Sequence, residues 1–511
     1  MNNTPAILRT LIIYAVVVPL AIWIGYLLTD PLDRSNLTVG GILALVICAP
    51  LLLRWHHLLL VASWNLGLMV FFLPGSPQLW LPMVALSLGI SVLQRTVNSE
   101  ARFISAPSIT WPLIFFMAMV LFTAKLTGGI GLHSLGGDTV GGKSYVLLLM
   151  GILGYFALTA QRIPPQRTGL CVCLFFLAGC TGFIADLSAF LPASVYAFFP
   201  MSGYNLETMA GVADYHPRYA GLGALGINGF LFMLARYGAR GIFTSGRLWR
   251  PVLFGLFAVL ILFGGFRSAV ILAGIAFVIQ FFLERVHQTK IFPAIIFAGL
   301  IGVTLIVPFA NKLPYTFQRS LAFLPLNVDR VARQDAEGTS EWRLQIWKDA
   351  LPTVPQYLFL GKGYTLSQAE MAMAGNENFH YVSDIQSVNI VGNYHSGPLS
   401  VVIYFGIWGV IGIFWFWIAS LRALYFNYRY GDPPMRTVNS FLLAYFIAKI
   451  FLFLVVFGGL YGDMYGFAGL IGLSVSLNGG ICRRAAAPAR ASKKSPIPLL
   501  ARPRFQPSFP R

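Results

Sequence analysis

The sequence predicts an all-α fold, a polytopic bundle of about 12–14 transmembrane helices with one large loop that contains short helices. Three observations support this prediction. Hydrophobic residues make up 57% of the 511 residues and charged residues only 11%, far outside the range of soluble globular proteins. About fourteen apolar runs approach the roughly 20 residues that a helix needs to cross a bilayer. A polar segment of roughly 80 residues separates two of these runs, and connections of that length are usually functional or disordered.

The apolar runs divide the chain into four parts. Residues 1–310 carry the N-terminal membrane helices, 311–394 form the large loop, 395–482 carry the C-terminal helices, and 483–511 form a basic, proline-rich tail. We expect that tail to be disordered, because it has little apolar surface to bury. The approximate limits of the runs are 10–29, 37–53, 58–73, 78–93, 110–127, 144–161, 169–191, 219–236, 251–266, 268–284, 291–310, 396–420, 439–459 and 464–481.

Lysine and arginine are concentrated in alternate connections between the runs. Positively charged connections stay in the cytoplasm, so both termini are expected inside and the 311–394 loop outside. The net charge of +18 is explained by insertion and by contact with anionic membrane lipids, so we expect lipids and not nucleic acid as partners. The connections expected inside contain Arg9, Arg54, Arg95, Arg102, Arg162, Arg167, Arg236, Arg240, Arg247, Arg250, Arg285, Lys290, Arg422, Arg429 and Arg436.

Two nucleotide-binding signatures occur in the wrong context. Residues 137–144 (GDTVGGKS) match the phosphate-loop pattern, but a membrane span follows them directly and no strand precedes them. Residues 221–226 (GLGALG) match the dinucleotide fingerprint, but they lie inside an apolar helix, where glycines more often allow close helix packing. We therefore expect no nucleotide cofactor.

Two charged features have more than one interpretation. Asp30 and Asp33, in the first outer loop, either share a cation or substrate or form a polar turn. Lys449 lies near the middle of its apolar run, where an ionisable residue is costly and often functional. It either pairs with Asp186 or Asp463 or extends towards an interface.

Four basic residues have unusual positions at the expected outer face: Arg218, Arg267, Arg343 and His395. Arg267 interrupts an otherwise apolar stretch over 252–283, so it either forces a tight turn between two helices or faces a wet cavity. Guanidinium groups suit phosphate oxygens in both charge and geometry. Together these residues predict an anionic ligand at the outer leaflet.

Arg343 and His395 also have local settings that favour this chemistry. Arg343 lies on a predicted short helix over 341–351, which Ser340 caps, and it shares a face with Trp347. His395 directly precedes an apolar span, and the N-terminus of a helix attracts anions and favours neutral imidazole. His395 is therefore a candidate proton acceptor beside a bound phosphate. The structural alternatives are a cation and ring pair on a surface helix and a packed interfacial histidine.

No aspartate cluster with strong metal spacing accompanies these residues in the sequence. Asp335 and Glu337 form only a weak match in the large loop. We therefore expect no metal, and we expect the arginines to stabilise the charge on a departing diphosphate, as a divalent cation does in other enzymes.

The order of these residues resembles the O-antigen ligase and O-antigen polymerase superfamily over residues 215–412. One departure concerns Ser396, where the family often has asparagine after the histidine, and this leaves the acceptor type open. The matching positions are an arginine at an outer helix turn (Arg267), an R-x-x-x-W motif followed by P and G-x-G (Arg343, Trp347, Pro355, Gly361, Gly363), a histidine before a span with a downstream G-x-x-G (His395, Gly406, Gly409), and an earlier arginine and glycine (Arg218, Gly221).

The resemblance implies a bacterial inner-membrane glycosyltransferase with a large periplasmic loop and an active site that faces the periplasm. Such an enzyme takes a glycan from an undecaprenyl diphosphate carrier and joins it to a hydroxyl of lipid A core or of another glycan, without nucleotide or metal. By this resemblance His395 is the base or positions the acceptor, while Arg218, Arg267 and Arg343 hold the diphosphate. Arg267 and Arg343 are then catalytic together with His395.

Three alternatives accompany this interpretation. A polymerase of the same superfamily would extend the glycan, whereas a ligase would transfer it to an anchor. A flippase or transporter of lipid-linked glycans would be expected to show internal repeats and more charges within the spans. A structural scaffold would leave the outer basic residues unexplained.

Overall fold

α-Helices form nearly all of the regular secondary structure in the part of the chain that the structure, a computed structural model, describes. The described residues are 34–71, 73, 75–98, 103–128, 142–187, 190–200, 218–366, 388–390 and 392–483, with single positions at 14, 17–19, 21, 22 and 25. Asp30, Asp33, most of the 137–144 segment and the tail beyond Arg483 lie outside them. Within the described ranges no strand forms, and Met69 and Gln78 make an isolated antiparallel bridge.

The α-helices follow one another along the chain, with 3-10 turns between several of them. They are α1 Arg34–Ile47, α2 Ala49–Ser63, α3 Trp80–Val97, α4 Pro107–Thr127, α5 Gly142–Thr159, α6 Thr168–Leu177, α7 Phe183–Leu187, α8 Ala193–Phe198, α9 Ala220–Phe243, α10 Trp249–Phe263, α11 Arg267–Leu283, α12 Phe292–Ile306, α13 Tyr315–Leu321, α14 Arg330–Ala350, α15 Val354–Tyr357, α16 Gly397–Tyr430, α17 Arg436–Phe451 and α18 Leu460–Asn478.

The predicted all-α membrane fold is confirmed. In the described ranges, 8 helical segments are long and apolar enough to cross a membrane, and the shorter apolar helices α10 and α11 accompany them. The number of spans, predicted as about 12–14, is not fixed by this criterion. The apolar run over 58–73 gives no span of its own among the described residues, because α2 ends at Ser63 and the described residues between it and Trp80 are not helical.

Glycines allow α9 and α10 to approach to backbone contact. A Cβ atom at Gly223 would lie 2.8 Å from the Cα of Gly264, and one at Gly226 would lie 2.4 Å from the backbone nitrogen of Ile261. These glycines belong to the 221–226 segment, and both are buried. The packing interpretation of that segment is therefore confirmed, because any larger side chain would separate the two helices.

The helix α16 is broken at Gly406, where φ is 60° and ψ is −157°. The break frees backbone groups that a continuous helix would pair internally, and inside a membrane protein such groups need other partners. Residues 358–363, which end with the G-x-G motif of Gly361 and Gly363, supply those partners and pack into the break. The bonds run from Ile407 N to Leu358 O (2.6 Å), from Lys362 N to Ile403 O (2.7 Å) and from Gly363 N to Tyr404 O (3.0 Å).

Candidate active site

Arg267 is the first residue of α11, directly after a tight turn that follows α10. Gly265 provides this turn with a φ of +68°, a conformation that favours glycine. The N–H of Tyr219, before α9, donates to Phe263 O at 3.3 Å, which brings Arg218 beside the turn. The Arg218 guanidinium carbon lies 5.9 Å from the centroid of the Phe266 ring. The predicted tight turn at Arg267 is thus present, with Arg218 next to it.

A further arginine, Arg319 on α13, joins these two and was missed in the sequence. Its side chain is buried, and its Nη1 donates to Gly265 O at 2.8 Å. Its Nε forms an ion pair with Asp335 on α14. Sequence reasoning missed it because an arginine in a polar loop is ordinary. The available signal was its place in TFQRSL, close to the end of an apolar run.

Asp335 faces the arginines and holds α14 against them. It accepts hydrogen bonds from Arg319 and, at 2.7 Å, from the Tyr315 hydroxyl. Burial alone raises the pKa of Asp335, but the bonds from Arg319 and Tyr315 outweigh it, so the net shift is downwards and the carboxylate stays ionised. Glu337 is exposed. In the described part of the chain no group of three or more metal-binding side chains occurs.

The helix that carries Arg343 is longer than the predicted 341–351. It begins at Arg330, where the Asp329 side chain accepts from Val331 N at 2.8 Å. Ser340 is therefore not the cap, and its hydroxyl donates to Ala336 O inside the helix at 3.1 Å. Apolar contacts and the Asp335 ion pair stabilise the first half of α14, which contains Gly338 and Thr339 and has a weak helical pattern.

Arg343 lies half-buried between the other arginines and an aromatic ring. Its guanidinium carbon is 5.3 Å from the centroid of Phe457, and its buried Nε has no hydrogen-bond partner in the described structure. Burial lowers the pKa of Arg343, and the charges of Arg267 and Arg319 lower it further. The guanidinium groups of these arginines therefore lie close enough to repel one another.

His395 packs against the same aromatic residue as Arg343. Its ring centroid lies 5.3 Å from that of Phe457 and 5.1 Å from that of Trp342 on α14. The Trp347 indole N–H donates to Tyr394 O at 2.9 Å, which fixes the residue before His395. The backbone of His395 has a φ of +48°, which is uncommon outside glycine and indicates a conformation that its surroundings impose.

The imidazole of His395 is neutral at physiological pH. Burial, and then the charge of Arg343, lowers its pKa from 6.5 to about 4. Ser396 caps α16 by accepting from Leu399 N at 3.5 Å, so His395 lies just before the helix N-terminus as predicted. The sequence argument relied on the helix end, whereas burial and Arg343 are the main causes. Its buried Nδ1 makes no hydrogen bond to a described residue.

All four residues that the sequence singled out meet in this one region. Arg343 is electrostatically coupled to His395, Arg267 and Arg319, and Asp335 is coupled to Arg218. Among the described residues, Asp335 is coupled to Arg218, Arg267 and Arg319, and Arg343 is coupled to two of these arginines, so arginines outnumber carboxylates in the described part of the site. A site with this charge and a neutral imidazole is suited to hold a polyanion and to accept a proton next to it.

The other charged residues of the spans have structural partners. Lys449 pairs with Asp463 at 3.3 Å, one of the two partners considered for it. Asp186, the other, accepts from the backbone N–H of Leu222 at 2.8 Å in the first turn of α9. The arginine cluster of the candidate site consists instead of Arg218, Arg267, Arg319 and Arg343.

Comparison with known proteins shows that the region of this site is similar to a known family. Residues 252–414 match the family described as O-Antigen ligase, a range that includes Arg267, Arg319, Arg343 and His395. No curated protein matches the chain. The region that carries the site thus matches the O-antigen ligase family, which confirms the resemblance seen in the sequence.

Proposed function

We propose that this protein transfers a glycan from undecaprenyl diphosphate to the hydroxyl of an acceptor, lipid A core or another glycan, at the periplasmic face of the bacterial inner membrane. The observation that carries the proposal is the meeting of the arginine cluster with the neutral imidazole of His395. A lipid-linked diphosphate supplies an anion that suits the arginine cluster. An acceptor hydroxyl supplies the proton that the imidazole can take.

In the proposed reaction the acceptor oxygen attacks the anomeric carbon of the glycan. The bond between that carbon and the diphosphate oxygen breaks, and its electron pair leaves with the diphosphate. His395 takes the proton of the acceptor hydroxyl, or holds the hydroxyl in line for attack. Arg267 and Arg343 stabilise the charge that develops on the leaving diphosphate, with Arg218 as a further contact. Arg319 holds the turn that positions Arg267.

Substrate binding also adjusts the base. A pKa of about 4 makes His395 a weak proton acceptor, and Arg343 is one cause of that low value. A diphosphate bound at Arg343 offsets its positive charge, so the pKa of His395 rises when the donor binds. The imidazole becomes a stronger base only once the leaving group is present. This order favours transfer of the acceptor's proton to His395 over protonation of His395 in the free enzyme.

The proposal is tested with purified protein, an undecaprenyl-diphosphate-linked glycan and an acceptor. We expect His395→Ala to lower turnover by about 10²–10⁴-fold, the usual contribution of a general base. Arg267→Ala should lower it by a similar factor, because removing one stabilising donor costs about 10²–10³-fold. Arg330→Ala is the matched control, since Arg330 is exposed at the start of the same helix as Arg343.

Full turnover by both His395→Ala and Arg267→Ala, with normal membrane insertion, would rule out this site. Product analysis separates the two reactions of the superfamily, because a ligase uses lipid A core and a polymerase uses a second lipid-linked glycan. Transport of the donor across a vesicle membrane without any new glycosidic bond would instead identify a flippase.

A further inference from the structure

A cavity of about 560 Å³ lies next to the arginine cluster, between the segment that follows α2 and the helices α9, α11, α17 and α18. A narrower extension of about 60 Å³ shares several of its lining residues and reaches Lys449. The volume falls within the range of about 300–1,000 Å³ that is typical of sites for small organic ligands. Such sites combine apolar and aromatic walls with a few placed polar groups.

The cavity has that composition. Tyr445 and Tyr465 line both parts of it, and each brings a hydroxyl group that can donate and accept hydrogen bonds. The side-chain NH₂ group of Asn65 donates to Phe175 O at 2.7 Å, and that of Asn228 donates to Ala224 O, in its own helix, at 2.8 Å. The side-chain oxygens of both asparagines can then accept hydrogen bonds in the cavity.

Aromatic faces complete the walls. Tyr465 stacks on Trp80 with centroids 5.2 Å apart and an angle of 15° between the rings. Trp64 lies beside Tyr465, and its buried indole N–H has no partner among the residues that the structure describes. Hydroxyl donors, amide acceptors and flat apolar rings in one chamber fit a molecule that carries many hydroxyl groups on an apolar ring face.

The cavity begins where the arginine cluster ends. Phe266 and Ser268, the chain neighbours of Arg267, line its mouth. Leu452 lines it as well, and this residue starts the π-helical turn that leads to Phe457, the ring shared by Arg343 and His395. A group bonded directly to a diphosphate at the arginines would therefore enter this cavity first.

The charges at the base of the cavity cancel. Lys449 lines the narrow extension, and Asp463 pairs with it at 3.3 Å. An acidic ligand there would be desolvated without a free cation to compensate it, which is costly in a membrane-embedded site. A neutral ligand meets no such cost.

We propose that this cavity receives the neutral sugar unit bonded directly to the diphosphate of the lipid-linked glycan, with Tyr445 and Tyr465 as its hydrogen-bonding walls. This rests on the proposed function, since it places the donor sugar relative to the diphosphate. The arginine cluster then selects the carrier, and the cavity selects the first sugar.

The test compares the binding of two lipids to the purified full-length protein. One is undecaprenyl diphosphate, and the other is the same carrier bearing a single neutral hexose. Tyr445→Phe and Tyr465→Phe should each weaken binding of the hexose-bearing lipid about fivefold, the effect of one lost neutral hydrogen bond, and should leave the bare carrier unaffected. Tyr425→Phe is the matched control, because Tyr425 is 49% exposed on the outer surface of α16.

The tyrosine variants test the sugar site, and Arg267→Ala tests the diphosphate site. If Tyr445→Phe and Tyr465→Phe, each alone and combined in one protein, bind both lipids like the wild type or lose affinity for both equally, the sugar site is wrong. A carrier that bears a hexuronic acid should bind more weakly than the hexose form, and equal binding would refute a neutral ligand. Arg267→Ala should weaken both lipids, and if it weakens neither, the diphosphate site of the proposed function fails while the tyrosine comparison still stands.

Discussion

Replacing Gly406 by alanine tests whether the break in α16 is required by the structure. The added Cβ would lie 2.6 Å from Leu358 O and 2.9 Å from Phe359 O, both of them backbone atoms that cannot turn aside. Alanine is also strained at a φ of 60° and a ψ of −157°. The substitution therefore acts against the backbone of this helix and against the segment packed into it.

The backbone strain and the clash with residues 358–363 both lower the free energy of unfolding. A residue other than glycine in this conformation costs about 2 kcal/mol. Displacement of residues 358–363 removes three backbone hydrogen bonds, which are worth about 1 kcal/mol each in net terms. Together they lower the free energy of unfolding by about 5 kcal/mol. Because the entropy of unfolding of a 511-residue chain is about 1 kcal/mol/K, this loss lowers Tm by about 5 °C.

Thermal unfolding of the detergent-purified protein measures this loss. Gly255→Ala in α10 is the matched control, because a Cβ at Gly255 would have nothing within 4 Å. That substitution should leave Tm unchanged or raise it slightly, since alanine favours a helix over glycine by about 1 kcal/mol. If Gly406→Ala melts like the Gly255→Ala control, the helix does not depend on a break at this position and the reasoning is refuted.

Three further predictions concern the site itself. The pH profile of kcat/KM should stay level through pH 6.5 and fall only as the pH drops through about 4, because protonation of His395 removes the neutral base. A fall near pH 6.5 would contradict the lowered pKa of His395. Asp335→Asn leaves buried Arg319 without its ionised partner Asp335, and it should lower the free energy of unfolding by about 1–3 kcal/mol. This value allows for the 34% exposure of the Asp335 side chain, which screens the ion pair. If the ion pair is the cause, adding Arg319→Met to the Asp335→Asn protein should recover part of the loss. Trp347→Phe removes the hydrogen bond to Tyr394 O and should lower kcat about fivefold with little change in KM for the lipid-linked donor, whereas an unchanged kcat would show that this bond does not position His395.

The all-α fold and the four basic residues of the site could be predicted from the sequence, because a membrane environment restricts where charged residues occur. Charged residues are rare in apolar runs, so Arg267 and His395 stand out at the ends of helices even without a structure. The same reasoning identified Arg218 and Arg343, and the structure brings all four together. The all-α fold follows from the length and hydropathy of the runs alone.

Long-range contacts account for what the sequence did not reveal. Arg319 looks ordinary in its loop, and only its contacts with Gly265 and Asp335 show that it is buried at the site. The start of α14 at Arg330 depends on the same ion pair and on packing. The sequence analysis named Gly406 only within the G-x-x-G motif and did not predict the break there, because the partner segment lies more than 40 residues earlier in the chain.

The helix α14 carries three separate attachments to the site: Arg343 beside the arginines, Trp342 against the imidazole and Trp347 on the residue before it. The anion-holding group and the base are therefore mechanically linked, and a shift of this one helix displaces both at once. A partly assembled site, able to activate water but not to hold the leaving group, is not accessible by such a movement. In the proposed reaction, the same linkage limits hydrolysis of the lipid-linked donor.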